Sequence, residues 1–250
     1  MDFLDESARV LVSAFSREFF GYGNHKAPIW FIGLEEGGGE DLKEVWARIA
    51  TWDRLGRPAL ADAAVFHEGF GQDRWFLDRA PTQSTWRELI RSILKATNQP
   101  HDIESIRRYQ ISEFARSDSC VALLEALPMP NPSMNQEDWR YGAWSSIPFL
   151  RSRREYKAEL LPLRIKKIQA MVNEYRPRLV AFYGLAYRED WSSVAGTHLE
   201  GSLPAIAEDS SGTSYALLPH PTARRRGGVD PWKSRKWLDL LSTALSSARP

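Results

Sequence analysis

Four short apolar runs recur along the 250-residue chain, at 28–34, 119–125, 178–184 and 214–219. The first reads Pro28-Ile29-Trp30-Phe31-Ile32-Gly33-Leu34 and the third Arg178-Leu179-Val180-Ala181-Phe182-Tyr183-Gly184, apolar at alternating positions of both parities. Runs of that length with no polar face read as strands buried on both sides. Segments of helical periodicity lie between them, and strands joined through helices run mostly parallel. The expected fold is therefore α/β: a three-layer sandwich with a central, mostly parallel four-stranded sheet flanked by helices. With 43% hydrophobic residues a chain of this length can bury a full core. Residues 1–250 are expected to form a single domain with irregular inserts near 51–81 and 128–152.

The helical segments are legible from their spacing. Between Asp5 and Phe20, Val10, Leu11, Ala14, Phe15 and Phe19 share one face, and Gly21-Tyr22-Gly23 ends the helix. Leu42, Val45, Trp46 and Ile49 repeat the pattern after the first strand. A third helix starts near Thr82 or Ser84, turns Trp86, Leu89, Ile90, Ile93 and Leu94 inward, and stops at Asn98-Gln99-Pro100. A weaker stretch covers 102–116, a long helix runs to about Tyr175, and a short one follows the third strand. Asp230-Pro231 supplies an N-cap and first turn for a closing helix that carries Trp232, Leu238, Leu241 and Leu245. Pro128, Pro130 and Pro132 require the second strand to leave the sheet at Glu125.

Charge and cysteine content exclude several classes. A net charge of +1 rules out a globally basic coat but leaves room for a local basic stripe that holds nucleic acid. The lone Cys120 rules out an intrachain disulfide, a cysteine zinc site and a thiolate-held iron–sulfur cluster. No apolar run approaches the roughly 18 residues of a membrane span, and Met1-Asp2-Phe3-Leu4-Asp5-Glu6 lacks the basic start of a signal peptide. A cytoplasmic monomer with no membrane association, no metal and no cofactor is expected.

In mostly parallel sheets, ligands gather beyond the carboxyl ends of the strands. Here those ends present Glu35 and Glu36, then Glu125, then Tyr183 and Gly184, then His220. Gly37, Gly38 and Gly39 follow the first strand, allow a ligand to approach closely, and lead into a helix begun near Asp41 whose N-terminal amides turn toward the loop. The two motifs Gly33-Leu34-Glu35-Glu36-Gly37 and His220-Pro221-Thr222 resemble, in place and spacing, the uracil-DNA glycosylase superfamily. There a glycine-led first motif carries a polar residue that handles water, and a late His-Pro-Ser-like motif places a histidine beside the leaving base. The resemblance implies a uracil-DNA glycosylase-like architecture across most of the chain, although the motifs themselves cover about a dozen residues. Glu36 stands where the family usually has proline, and Thr222 where serine is commoner, which leaves the catalytic role open between Glu35 and Glu36.

The resemblance implies a monofunctional DNA glycosylase that flips a pyrimidine and hydrolyses its N-glycosidic bond, leaving an abasic site. Glu35 would stabilise the sugar cation and orient water, and His220 would donate to the pyrimidine O2. Gly33, Gly37 and Glu125 would surround the base. Pro221, Thr222, Arg224, Arg225 and Arg226 would meet the DNA backbone or the gap left by the flipped nucleotide. Uracil-specific members read the base with an Asn where this chain has Glu125, and an ionised carboxylate accepts from the N4 amino group of cytosine but opposes the O4 of uracil. Strict uracil enzymes also set a Tyr against C5 where this chain has Gly37, so a substituent at C5 could be admitted. An enzyme removing plain cytosine would damage its own genome. The expected substrate is therefore a C5-modified cytosine, hydroxymethylated or glucosylated, in phage DNA, with Trp139, Tyr141 and Trp144 stacking on an attached sugar and antiviral defence as the role.

Other readings compete. Uracil repair is one, and a metal-dependent nuclease using Glu35, Glu36, Glu40, Asp41 and His220 around Mg²⁺ is another. A non-catalytic base sensor is a third. At the level of single residues, Glu35 and Glu36 could cap the following helix, Glu125 could be salt-bridged to an arginine, and the arginine run could be a solvated surface. Trp46, Trp86 and Trp237 read as core, and His25, His67, His101 and His198 lack metal-ligand spacing.

Overall fold

A computed structural model describes residues 4–39, 41–133, 135–223 and 230–246. Among the described residues, seven strands form one sheet: β1 Gly21–Tyr22, β2 Ile29–Glu35, β3 Leu60–Ala61, β4 Val121–Leu127, β5 Leu179–Tyr183, β6 Ala205–Glu208 and β7 Ser214–Leu218. Their order is β3-β1-β4-β2-β5-β7-β6. The four apolar runs are the adjacent strands β4, β2, β5 and β7, all parallel. The expectation of a four-stranded sheet is corrected at its margins, where β1 pairs antiparallel with β4, β3 parallel with β1, and β6 antiparallel with β7. These three strands are two to four residues long, too short for a period to show. The result is an α/β fold with a seven-stranded mixed sheet flanked by helices.

Eight helices of the described residues surround it: α1 Glu6–Glu18, α2 Leu42–Arg54, α3 Ala63–Gly69, α4 Ser84–Ala96, α5 Ile103–Ser112, α6 Arg153–Tyr175, α7 Arg188–Ala195 and α8 Arg235–Ser246. Side chains at the N-cap fix several starts by accepting amides otherwise left without partners. Asp5 accepts from Ala8, Asp41 from Glu44, Asp102 from Glu104 and Ser105, and Ser152 from Glu155. Asp230 instead caps a single 3-10 turn at Pro231–Lys233, and α8 starts two residues beyond it. The segment 51–81 is more regular than its Gly, Pro and Asp content suggested, since it holds the end of α2, β3, α3 and a 3-10 turn at Asp73–Trp75. β4 leaves the sheet at Leu127, two residues later than expected, because the first proline is only at 128.

Register decides which side chains share a face. Phe31 and Gly33 of β2 lie opposite Leu123 and Glu125 of β4, and in parallel pairs opposite residues point the same way. The Phe31 ring meets Trp237 of α8 on that side. Phe182, of the other parity, stacks on Trp191 of α7 at 5.2 Å. Arg164 of α6 is buried with its guanidinium fully engaged, donating to the carbonyls of Ala126, Ser16, Phe19 and Glu125. It thereby joins the end of α1 to β4 and satisfies helix-terminal carbonyls that would otherwise lack donors. No described helix is long and apolar enough to cross a membrane.

Chain order along the sheet locates the crevice. From β2 the chain moves to β4 on one side, then returns to β5 on the other. Such a reversal opens a gap beyond the strand ends, and β2 and β5 end there in Glu35 and Tyr183.

Candidate functional site

Gly33 sits near the end of β2, beneath the crevice. A β-carbon at this position would lie within 2.5 Å of the Tyr183 ring and of Glu125 Oε2. Its absence lets the Tyr183 hydroxyl donate to Glu125 Oε1 at 2.9 Å across the glycine. The other carboxyl oxygen, Oε2, is buried and has no hydrogen-bond partner among the described residues. Burial pushes the Glu125 pKa well above the ordinary carboxyl range; the Tyr183 hydrogen bond opposes that rise, and the nearby Glu36 and Glu35 charges add to it. The ionised acceptor expected at Glu125 is corrected: its surroundings favour the neutral acid. A neutral carboxyl has one donor and one acceptor side.

His220 follows β7 and presents its ring edge-on to Tyr183, with centroids 5.6 Å apart. Its Nδ1 lies 3.3 Å from the Thr222 backbone nitrogen and 2.9 Å from Thr222 Oγ1. The backbone N–H can only donate, so Nδ1 accepts and the ring proton resides on Nε2. Partial shielding lowers the His220 pKa, which favours that neutral, Nε2-donating ring. Pro221 is buried and Thr222 exposed. Arg224, Arg225 and Arg226 lie outside the described residues, as does Glu40.

The two adjacent glutamates differ sharply. Glu35 forms a bidentate ion pair with Arg153 at the start of α6, with contacts of 2.5 and 3.3 Å. Burial nonetheless raises its pKa to about 7, outweighing Arg153. Glu36 Oε2 accepts from the Tyr22 hydroxyl at 2.9 Å and from Arg48 at 3.0 Å, while Oε1 lies 3.8 Å from His67 Nε2. Arg48 also binds Glu44 one turn earlier on α2 and lies over the Phe70 ring. Burial lowers the His67 pKa to about 4. Asp41 is committed to its cap, and among the described residues no group of three or more His, Cys, Asp or Glu could hold a metal ion.

Gly37 is open, with nothing near a β-carbon built on it, whereas Gly38 and Gly39 take φ of +113° and +66°, values that other residues rarely adopt. Trp139, Tyr141 and Trp144 do not form an open stacking surface. Tyr141 and Trp144 are 1% and 5% exposed. The Trp139 indole donates to the Leu150 carbonyl and packs on Tyr141 and Tyr156. These rings hold the 128–152 insert against the core. A cavity of about 380 Å³ lies elsewhere, bounded by Glu36, Gly37 and Gly38 at the end of β2 and by Gln72, Trp75, Gln83 and Trp86.

Topology therefore brings Gly33, Glu35, Glu36, Glu125 and His220 to one end of the sheet. Sequence reasoning gave no role to Tyr183, Arg153, Arg48 or Tyr22. A hydroxyl-bearing tyrosine closing an otherwise wholly apolar strand marked the first, and the Glu44/Arg48 spacing of four marked the third. Nothing local marks Arg153 as the partner of Glu35, since 118 residues separate them. Comparison with known protein families, curated proteins and solved structures finds no match.

Proposed function

We propose that the protein is a monofunctional DNA glycosylase with a uracil-DNA glycosylase-like architecture, acting on a flipped pyrimidine. The observation that carries this reading is Glu125 Oε2, buried without a hydrogen-bond partner among the described residues, in a carboxyl group bonded to Tyr183, whose ring in turn meets His220. An unsatisfied buried polar atom is costly unless something binds it.

Breaking the glycosidic bond sends the C1′–N1 electron pair to the base and leaves positive charge on the sugar. Donors aimed at the base favour the transition state because they strengthen as its charge grows. His220 Nε2–H supplies one at the pyrimidine O2. A neutral Glu125 supplies a second at N3, while its other side accepts from the N4 amino group. That pairing suits cytosine and helps it leave, since charge accumulates on N3 as well as O2. Water then adds to C1′ and gives a proton to Glu35. A carboxylate paired with one guanidinium keeps lone pairs free for that water, and a pKa of about 7 suits a base working near neutral pH.

The substrate is a C5-modified cytosine, because plain cytosine would expose the host genome and Gly37 leaves space beside the base. Phage DNA carrying hydroxymethylated or glucosylated cytosine fits that requirement, which makes antiviral defence the role. Uracil is the second reading, supported by the same neutral Glu125: turned over, its O–H matches uracil O4 and its carbonyl matches N3–H. The deciding experiment is free-base release in EDTA from DNAs carrying uracil, cytosine, 5-methylcytosine, hydroxymethylcytosine or glucosylated hydroxymethylcytosine. Release confined to substituted cytosines supports the proposal, and uracil release supports repair. No release from any DNA refutes glycosylase activity, leaving a base sensor if binding persists or a nuclease if Mg²⁺ brings strand cutting.

A further inference from the structure

The cavity beside β2 has no part in the chemistry above. We infer that it receives a neutral hexosyl group carried on C5 of the target base, an assignment that rests on the glycosylase reading. Gly37 and Gly38 line the cavity, and its volume is about 380 Å³. That falls within the range of small-molecule sites, roughly 300–1,000 Å³. A hydroxymethyl group alone would leave most of it to water, at roughly 30 Å³ per molecule. A pyranose ring would fill much more.

The lining has the chemistry of a polyol site. Half-buried Trp75, with the Arg74 guanidinium over its ring at 4.7 Å, offers the exposed indole edge of the lining, while Trp86, 5% exposed and packed on His67, Phe76 and Phe114, forms its floor. The Gln72 side chain has no hydrogen bond to a described residue, and Gln83 uses only its oxygen, accepting from the Trp86 amide. Between them stand Glu36 and Arg48, fixed by mutual contact and by Tyr22 and Glu44, so a carboxylate and a guanidinium are held ready for vicinal hydroxyls. Charge selects the ligand class. Glu36 and Glu44 balance Arg48 and Arg74 around the cavity, a lining suited to an uncharged polyol rather than to phosphate, which would draw on an excess of cations.

The test uses the full chain and two variants, Gln72→Ala and Trp75→Ala. The first removes a half-buried amide that bonds to no described residue, so its folding is secure. Base release is compared on DNAs bearing hydroxymethylcytosine and its glucosylated form. The ratio of kcat/KM values, glucosylated over hydroxymethylated, is expected to fall at least tenfold in each variant. An unchanged ratio overturns the hexosyl assignment while leaving the glycosylase reading intact. A second arm needs no catalysis: saturation-transfer NMR with methyl glucopyranosides should show contact in the parent chain and its loss in Trp75→Ala. Absence of transfer in the parent overturns the sugar site. Transfer without base release from any DNA overturns the base-linked assignment and makes the cavity a site for free saccharide.

Discussion

Replacing Glu125 by Gln should abolish a pH dependence of stability that the parent protein carries. In the folded chain burial raises the Glu125 pKa well above its unfolded value. Between those two values the unfolded chain has released the proton and the folded chain has kept it. The folded state then binds more protons, so stability falls as pH rises. Below the unfolded carboxyl pKa, near 4.3, both states are protonated and nothing is lost. Above it, one group costs up to about 1.4 kcal/mol for each pH unit until the raised pKa is reached.

The amide introduced by Glu125→Gln would keep an acceptor for the Tyr183 hydroxyl and would place an uncharged donor where Oε2 stands. Urea unfolding of both proteins at pH 4, 5, 6 and 7 gives the comparison. Glu35, with its own raised pKa, tilts both curves alike, so the difference between them isolates Glu125. The two proteins should be similar at pH 4, and the variant should gain relative to the parent as pH rises above the unfolded carboxyl value. Parallel curves across the range would refute the neutral-acid account, and a variant much weaker at pH 7 would show that the ionised form is the one the fold stabilises.

Gly33→Ala should lose about 2–6 kcal/mol in urea unfolding, since the β-carbon overpacks the site, worth about 1–3 kcal/mol, and separates the buried Tyr183–Glu125 pair, worth about 1–3 kcal/mol more. His220→Ala should slow single-turnover base release about a hundredfold with folding unchanged, the usual effect of losing one donor to a developing anion. Glu35→Gln should slow release by about two orders of magnitude or more. In the parent, release should climb as pH passes about 7, because the base acts once deprotonated, and that limb should vanish in the Glu35→Gln variant. A rate that falls through the same pH would assign Glu35 as an acid instead.

The sheet centre was legible because strands buried on both faces must be apolar throughout, as Ile29 to Leu34 and Leu179 to Tyr183 are. β1 was not legible, since Gly21-Tyr22 reads equally as the end of α1 and only β4 and β3 on either side make it a strand. The positions at the strand ends followed from topology alone. Their partners did not: Arg153 and Tyr183 reach Glu35 and Glu125 across 118 and 58 residues, and no local pattern encodes such pairings. The aromatic insert misled because Trp, Tyr and Arg in close succession suit stacking and core packing equally well. Backbone acceptors decided the matter, with Leu150 and Pro130 claiming Trp139 and Tyr141.

Three carboxyl groups crowd one end of the sheet, and their surroundings divide the work among them. Glu35 faces a guanidinium in a closed setting and sits near the pH where it can take a proton. Glu36 is held among Tyr22, Arg48 and His67, so it is structural toward the core and polar toward the cavity. Among the described residues the Glu125 carboxyl takes a hydrogen bond only from a tyrosine hydroxyl, and its second oxygen is buried without a hydrogen-bond partner. Like charges this close disfavour one another in a buried site, so Glu36 and Glu35 add to the rise of the Glu125 pKa, while Arg153 opposes the rise that burial imposes on Glu35. Removing Arg153 should therefore act at a distance: an Arg153→Met variant would drive Glu35 toward its protonated form and shift the rising limb of base release to higher pH. A limb that stayed in place would show that Glu35 is not the group that takes the proton from water.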